Sequence, residues 1–251
     1  MTKTLVQEQF GKTAASYLDS RPHARGESLR ALIERVAPEK HWRVLDVATG
    51  AGHVAYTFAP LVEAVVATDV TEEMLQLVRR EAEKRQLANI AVRYAKAEAL
   101  PFEAGSFNAV ITRIAPHHFE DIPAFLREAQ RVLAPGGRLA VVDNVVPEGD
   151  AGDYINAFER FRDPSHVRAL TKGVWLDEIA RAGFRLVHQE YFRKVLDFDE
   201  WTSRHGADMQ AFLRSMLSQC GPEPKAALTP TLTNGRLTFV LTEAFLLASK
   251  A

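Results

Sequence analysis

Between residues 42 and 146 the sequence alternates short apolar, β-branched runs with stretches whose apolar residues recur at helical spacing, and few architectures accept that alternation. VLDVA (44–48), AVVATDV (64–70), IAVRYA (90–95), FNAVITRIA (107–115) and RLAVVDNVV (138–146) have the character of strands buried on both faces. Such strands belong to a parallel sheet covered by helices on each side. Between them Met74, Leu75, Val78 and Ala82 mark one helical face, and Ile122, Phe125, Leu126, Ala129, Val132 and Leu133 mark another. Thr71 ahead of Glu72 and Glu73 suits a helix start, since a hydroxyl can cap free amides and acids suit the positive end of the dipole. Pro135-Gly136-Gly137 suits a helix stop and a turn into the next strand.

On the N-terminal side, Leu29, Leu32, Ile33 and Val36 predict an amphipathic helix preceded by a polar segment carrying Phe10 and Tyr17, together a helical cap. On the other side come a polar stretch with aromatics (148–172), a helix near 174–182 stopped by Gly183, a strand near 185–192 and a helix near 207–219. Met209, Phe212, Leu213, Met216 and Leu217 share one side of that last helix, read as core rather than as a lipid-binding face. A turn at Asn234-Gly235 leads into FVLTEAFLLA (239–248), expected as a last strand inserted antiparallel. With no repeat and no linker, the 251 residues read as one domain: cap (1–40), core (41–146), and helical insertions with the last two strands (147–251).

Composition narrows the partners. Lys plus Arg number 31 against 32 for Asp plus Glu, so no overall field attracts nucleic acid or an anionic membrane. Cys220 is the one cysteine, which excludes internal disulfides and a multi-cysteine metal site and fits a reducing, cytoplasmic compartment. No stretch approaches the roughly 18 apolar residues that span a bilayer, and the N-terminus has no apolar export signal. The expectation is no metal, no nucleic acid and no stable membrane insertion; oligomeric state has no sequence signal.

In an open parallel sheet, ligands bind at the carboxyl ends of the strands. The first strand ends in Asp46-Val-Ala-Thr-Gly50-Ala-Gly52, a small-residue loop that lets backbone approach a ligand, and the second ends at Asp69, where a carboxylate can take both hydroxyls of a ribose. Gly50-x-Gly52-x-x-Ala55 also satisfies the dinucleotide fingerprint. Asp46 discriminates: at the mouth of the loop it would repel a pyrophosphate but suits the ammonium of a methionine moiety. Charge therefore favours S-adenosylmethionine over NAD.

VLDVATGAG, ATDVTEEML, AEALPF (97–102) followed by SFNAV, and RVLAPGGRLAVVD (131–143) stand in order and at fitting spacing. On these motifs the sequence resembles the class I S-adenosylmethionine-dependent methyltransferases, within the group that includes the ubiquinone/menaquinone-biosynthesis C-methyltransferases. The resemblance implies an α/β, three-layer Rossmann-like fold with an antiparallel last strand. It also implies that Asp46, Ala48, Gly50 and Gly52 border the methionine part, that Asp69 takes the ribose, that Val70 and Met74 pack on adenine, and that Ala97 and Glu98 lie along the adenine's polar edge. Two positions depart from the family pattern: Ala48 replaces the first loop glycine, and Lys96 stands where an aspartate often accepts from the adenine amino group, which a lysine cannot do.

Arg113-Ile-Ala-Pro-His117-His118-Phe119 follows the fourth strand, where the family lines the transferring methyl, so Arg113 is grouped with the cofactor and His117 and His118 are candidate general bases, with His118 favoured. The bland alternative for the pair is packing or orientation of Arg113. Phe10 and Tyr17 are expected either to close over the cofactor or to be core aromatics of the cap. Phe158, Phe161, Trp175, Tyr191 and Trp201 suggest a small, partly apolar acceptor. The main alternative to methyl transfer is a regulatory module that binds the cofactor without turnover, and the lesser one an NAD-dependent oxidoreductase.

Overall fold

A computed structural model of the protein describes residues 4–7 and 27–251. The five apolar runs of the core form parallel strands β1 (Arg43–Val47), β2 (Ala64–Asp69), β3 (Ile90–Tyr94), β4 (Phe107–Arg113) and β5 (Leu133–Val145). They are followed by β6 (Phe184–Asp197), β7 (Thr231–Thr233) and β8 (Arg236–Lys250). The sheet order is β3-β2-β1-β4-β5-β8-β6, with β7 on β8. β8 lies antiparallel between β5 and β6, with Val145 opposite Thr242 and Lys194 opposite Leu241. The ligand-binding switch point of such a sheet falls beside β1, where the order reverses from β2 to β4.

Helices cover both faces: α1 (Glu27–Val36), α2 (His53–Phe58), α3 (Glu72–Lys84), α4 (Ile122–Val132), α5 (Asp150–Arg162), α6 (Lys172–Arg181), α7 (Phe198–Thr202), α8 (Ala207–Gln219) and α9 (Pro222–Leu228). The periodic faces pack as their spacing requires: Phe125, Leu126, Ala129 and Val132 of α4 against one side of the sheet, and Leu32 and Val36 of α1 and Val78 of α3 against the other. Each large apolar side chain so buried contributes about 1.5–3 kcal/mol. A third core, with Phe158, Phe198, Leu213, Leu217 and Phe239, lies among α5, α7, α8 and the outer reaches of β6 and β8. Leu213 and Leu217 of α8 are in it and Met209 and Met216 pack on it, whereas Phe212 is exposed and meets Phe161 edge-on.

Several expectations change. Thr71 stands at the N-cap of α3 but its hydroxyl makes no capping bond; the Thr71 amide itself is taken by Asp69. α4 is capped by Asp121, whose side chain accepts from the Ala124 amide. Pro135-Gly136-Gly137 does not precede β5 but makes an irregularity within it, where the pairing jumps from Phe107–Leu133 to Ala109–Arg138. Strand β6 runs to Asp197, five residues beyond the expected 192, and β8 begins directly after the Asn234-Gly235 turn. The stretch 148–172 contains helix α5, which sequence periodicity passes over because its buried face carries Gly152, Asn156 and Glu159 alongside Ile155 and Phe158. A Cβ at Gly152 would stand 2.1 Å from the Pro147 carbonyl oxygen, so only glycine allows the chain to fold back there. The signal that was present is charge, with Asp150 and Asp153 in the first turn and Arg160 and Arg162 in the last.

Candidate active site

A cavity of about 520 Å³ opens at the carboxyl ends of the parallel strands. Its floor is the β1 and β2 ends. Asp46, buried at the end of β1, accepts from the Thr49 hydroxyl at 2.6 Å and the Ala55 amide at 3.1 Å. Asp69, buried at the end of β2, accepts from the Gly50 amide at 3.0 Å through one oxygen and from the Thr71 amide at 2.9 Å through the other. These bonds fix the loop to both strands. Burial pushes Asp46 up to about 7, with the nearby Asp69 adding to the rise, and burial pushes Asp69 up as well. Two desolvated acids side by side favour a ligand that brings positive charge to one and hydroxyl donors to the other.

The loop's backbone is shaped for close approach. Gly50 has φ +53 and lines the cavity with open space where a Cβ would stand. Gly52 does not line the cavity: it begins α2 with φ +86, and a Cβ there would lie 2.5 Å from the Tyr56 ring. Its constraint is helix packing rather than ligand contact. Ala48 lines the cavity at φ +55, a left-handed conformation that costs a non-glycine residue about 1–2 kcal/mol. Ile114 holds φ +53 in the loop after β4, a conformation unfavourable for a β-branched side chain. It too faces the cavity.

Val70, Met74, Ala97 and Glu98 line the same side, joined by Tyr94, which the sequence reading missed. Tyr94 is half exposed at the end of β3, where the β-alternation places an aromatic at the strand mouth. One Glu98 oxygen accepts from the Glu120 amide at 3.0 Å, and Lys96 is exposed at the rim. Thr4, Val6 and Gln7 reach the cavity, and Gln7 Nε2 donates to the Val70 carbonyl at 2.7 Å. Phe10 and Tyr17 lie outside the described residues.

Arg113, His117 and His118 also line the cavity. Arg113 Nε donates to the Ser28 hydroxyl of α1 at 3.2 Å; burial lowers its pKa, while Glu243 and Asp46 oppose the fall. The adjacent histidines differ. Burial would lower the His117 pKa, but Asp143 near the end of β5 accepts a hydrogen bond from its Nδ1 at 2.6 Å and, with Glu159 and Asp163, raises it overall. His118 Nδ1 donates to the Ser165 carbonyl at 2.9 Å, and burial next to His117 drives it down to about 3. Asp143 makes His117 the more basic of the two, whereas His118, the base favoured from the sequence, is held neutral by burial.

Beyond the histidines the lining changes character. It includes Asn144, Glu159, Arg162, Asp163, Lys194, Asp197, Glu200 and Arg236. Of the five aromatics expected to shape the acceptor pocket, Trp201 alone lines it. Phe158 and Trp175 are core residues, Phe161 is on the surface, and Tyr191 packs beside the main core under Lys172. The lining beyond the histidines is mixed, with those polar side chains beside Val195, Leu196, Trp201 and Leu241.

A family model described as a methyltransferase domain matches residues 45–141, from the first strand into the fifth. An uncharacterized methyltransferase of Bacillus subtilis, YcgJ, is 33% identical over 233 residues, covering 90% of this chain and 91% of that one. The chain belongs to the class I S-adenosylmethionine-dependent methyltransferases. The crystal structure of a putative methyltransferase from Bacillus halodurans is 36% identical and superposes with a TM-score of 0.85, covering 90% of this chain and 99% of that one. The ubiquinone/menaquinone biosynthesis C-methyltransferase of Dinoroseobacter shibae is 42% identical over 147 residues, covering 55% of this chain and 58% of its own length. Among the described residues, no helix is long and apolar enough to cross a membrane.

Proposed function

We propose that this methyltransferase moves a methyl group by in-line displacement onto a small-molecule acceptor, with His117 as general base and Asp143 holding it in place. S-adenosylmethionine, when bound, supplies a methyl already activated by its sulfonium. The observation that carries the proposal is one continuous cavity joining the Asp46–Asp69 floor to the His117–Asp143 pair.

The residues present fit that cofactor. Asp46 faces the amino acid end with a desolvated negative charge, the open space over Gly50 admits backbone-close packing, and Asp69 is fixed by two amides with its remaining lone pairs available to ribose hydroxyls. Tyr94, Val70 and Met74 give apolar surface for a purine. Positioning supplies most of such a reaction's acceleration, about 7–11 kcal/mol in favourable intramolecular models. The base contributes only when the acceptor atom carries a proton. With Asp143 bonded to Nδ1, Nε2 is the nitrogen left to take the acceptor's proton, and Asp143 stabilises the imidazolium that results. The near balance of charge on the chain supports a small molecule over nucleic acid.

The test is turnover against a panel of hydroxyl, amine and acidic-carbon acceptors, with cofactor binding measured separately. His117→Gln is expected to lose turnover and keep affinity for S-adenosylhomocysteine. Full activity in that variant removes His117 from the chemistry. Tight cofactor binding with no turnover on any acceptor class favours the regulatory alternative.

A further inference from the structure

Glu159 is a carboxylate of the cavity lining that adds to the field on His117 but is hydrogen-bonded to none of the residues assigned to the cofactor or the base. It projects from α5 and lines the cavity while being only 8% exposed. Its Oε1 accepts from Asn144 Nδ2 at 3.3 Å. Asn144 Oδ1 in turn accepts from Lys194 Nζ at 3.3 Å, and the same ammonium donates to Glu243 Oε2 at 3.1 Å. The row Glu243–Lys194–Asn144–Glu159 draws one residue from each of β8, β6, β5 and α5, and Glu243 is 1% exposed. It holds the Glu159 carboxylate by one oxygen. The other, Oε2, is buried and has no hydrogen-bond partner.

A buried acceptor atom left unpaired costs about 1–3 kcal/mol, more if charged, so its survival in a built network needs a reason. Three carboxylates nearby are paired directly with cations, Asp163 with Arg204, Asp197 with Arg236 and Glu243 with Lys194, whereas Glu159 is pushed up by burial and feels His117, Lys194 and Arg162 only as nearby charges. Glu159 has a fixed position, an unpaired acceptor atom and a wall in the acceptor's space.

We propose that Glu159 is the residue that selects the acceptor: its Oε2 accepts a hydrogen bond from an O–H or N–H group of the substrate, so the enzyme's acceptors are donor-bearing molecules rather than hydrocarbons or molecules with carbonyls alone. The inference rests on the methyl-transfer reading for what the bound molecule undergoes, but not for what binds. An acceptor with such a group supplies the bond that Oε2 otherwise lacks, while one without it leaves Oε2 buried and unpaired. Discrimination of that kind exceeds what a difference in apolar contact gives.

Replacement by glutamine makes a directional test because the network reads the amide's orientation. Asn144 Nδ2 needs an acceptor, so in E159Q the introduced amide turns its oxygen toward Asn144 and puts its nitrogen, a donor, where Oε2 was. Benzyl alcohol, benzaldehyde and toluene share a skeleton and differ at one group. Their affinities are measured by ligand-observed NMR on the full chain, with and without S-adenosylhomocysteine, alongside calorimetry of S-adenosylhomocysteine itself. The wild type is expected to bind benzyl alcohol about tenfold more tightly than benzaldehyde or toluene, and E159Q to reverse the alcohol–aldehyde order. No preference in the wild type, including no detectable binding of any of the three, overturns the assignment, as does a preference unchanged in E159Q. Failure to bind S-adenosylhomocysteine overturns the cofactor reading instead, while the fragment preference still decides on Glu159.

Discussion

The two halves of the cavity are built by different rules. The cofactor half is assembled from contiguous segments: Asp46, Thr49, Gly50 and Ala55 lie within one strand–loop–helix unit, and Asp69, Thr71 and Met74 within the next. The acceptor half takes single side chains from β5, α5, β6 and β8, far apart in sequence and joined by a row of hydrogen bonds. A site made of contiguous pieces keeps its geometry whenever the local fold forms. A site made of distant single residues depends on the packing of every contributing element, and each position can change without disturbing the sheet.

If the halves are as separable as this, substitutions should strike one and spare the other. The largest effect is expected for His117→Gln: turnover falls by about 10²–10⁴-fold, the ordinary contribution of a positioned base, while S-adenosylhomocysteine affinity stays within about twofold. His118→Gln should cost far less. Single-turnover rates and calorimetry check both, and equal losses in the two variants would dissolve the distinction drawn from Asp143.

Next, Asp69→Ala should weaken S-adenosylhomocysteine by roughly 100-fold, from charge-assisted bonds worth about 1.5–3 kcal/mol each, and leave fragment binding on the Glu159 side unchanged. A parallel fall in fragment affinity would show that the loop supports both halves.

The third expectation concerns pH. Asp46 is raised in the folded protein to about 7, so its contribution to stability is fully present below the unfolded value of 3.8 and is lost as pH rises through about 7; buried Asp69 acts in the same direction. The ligand-free protein should therefore lose melting temperature between about pH 4 and 7. A ligand ammonium beside Asp46 lowers that carboxyl, so S-adenosylhomocysteine should bind more tightly as pH rises through this window and flatten the stability curve. In Asp46→Asn both pH effects should shrink, and a variant retaining them in full would place the charge elsewhere.

The smallest expected effect belongs to Ala48→Gly. Relief of the left-handed conformation and the added freedom of the unfolded chain nearly offset, leaving stability changed by no more than about 1 kcal/mol and cofactor affinity intact. Thermal denaturation in the presence and absence of ligand measures it.

What the sequence disclosed follows the same division. Strands buried on both faces announce themselves as apolar runs, and the acids and glycines at their ends are neighbours in the chain, so Asp46, Gly50 and Asp69 could be placed at one cavity from spacing alone. Asn144, Glu159, Lys194 and Glu243 carry no such mark. Asn144 and Glu243 sit inside runs that read as strand, and Glu159 sits on a helix whose apolar period its own polarity interrupts. His117 and His118 were visible as a pair, but their difference comes from Asp143, at the end of another strand, and Ser165, in a loop after α5. Tyr94 was hidden for a simpler reason: a tyrosine ending a strand looks like any other strand residue.

The antiparallel placement of β8 reaches beyond sheet order. Because β8 runs against β5, its early residues rise past the point where β5 stops at Val145, and β6 rises with it, pairing Lys194 to Asp197 with Leu241 to Thr238. This ribbon, joined by β7 at the outer end of β8, is a side wall standing above the edge where the cofactor loops end, and Lys194, Leu196, Asp197, Arg236 and Leu241 on it line the cavity. The height of its β8 side is set by the hairpin turn at Asn234-Gly235, which joins β7 to β8. Adding or removing a pair of residues there would raise or lower the rim of the acceptor chamber without moving any strand that holds the methyl donor. A lineage could thus acquire a new substrate through a change in ribbon length while inheriting its chemistry whole.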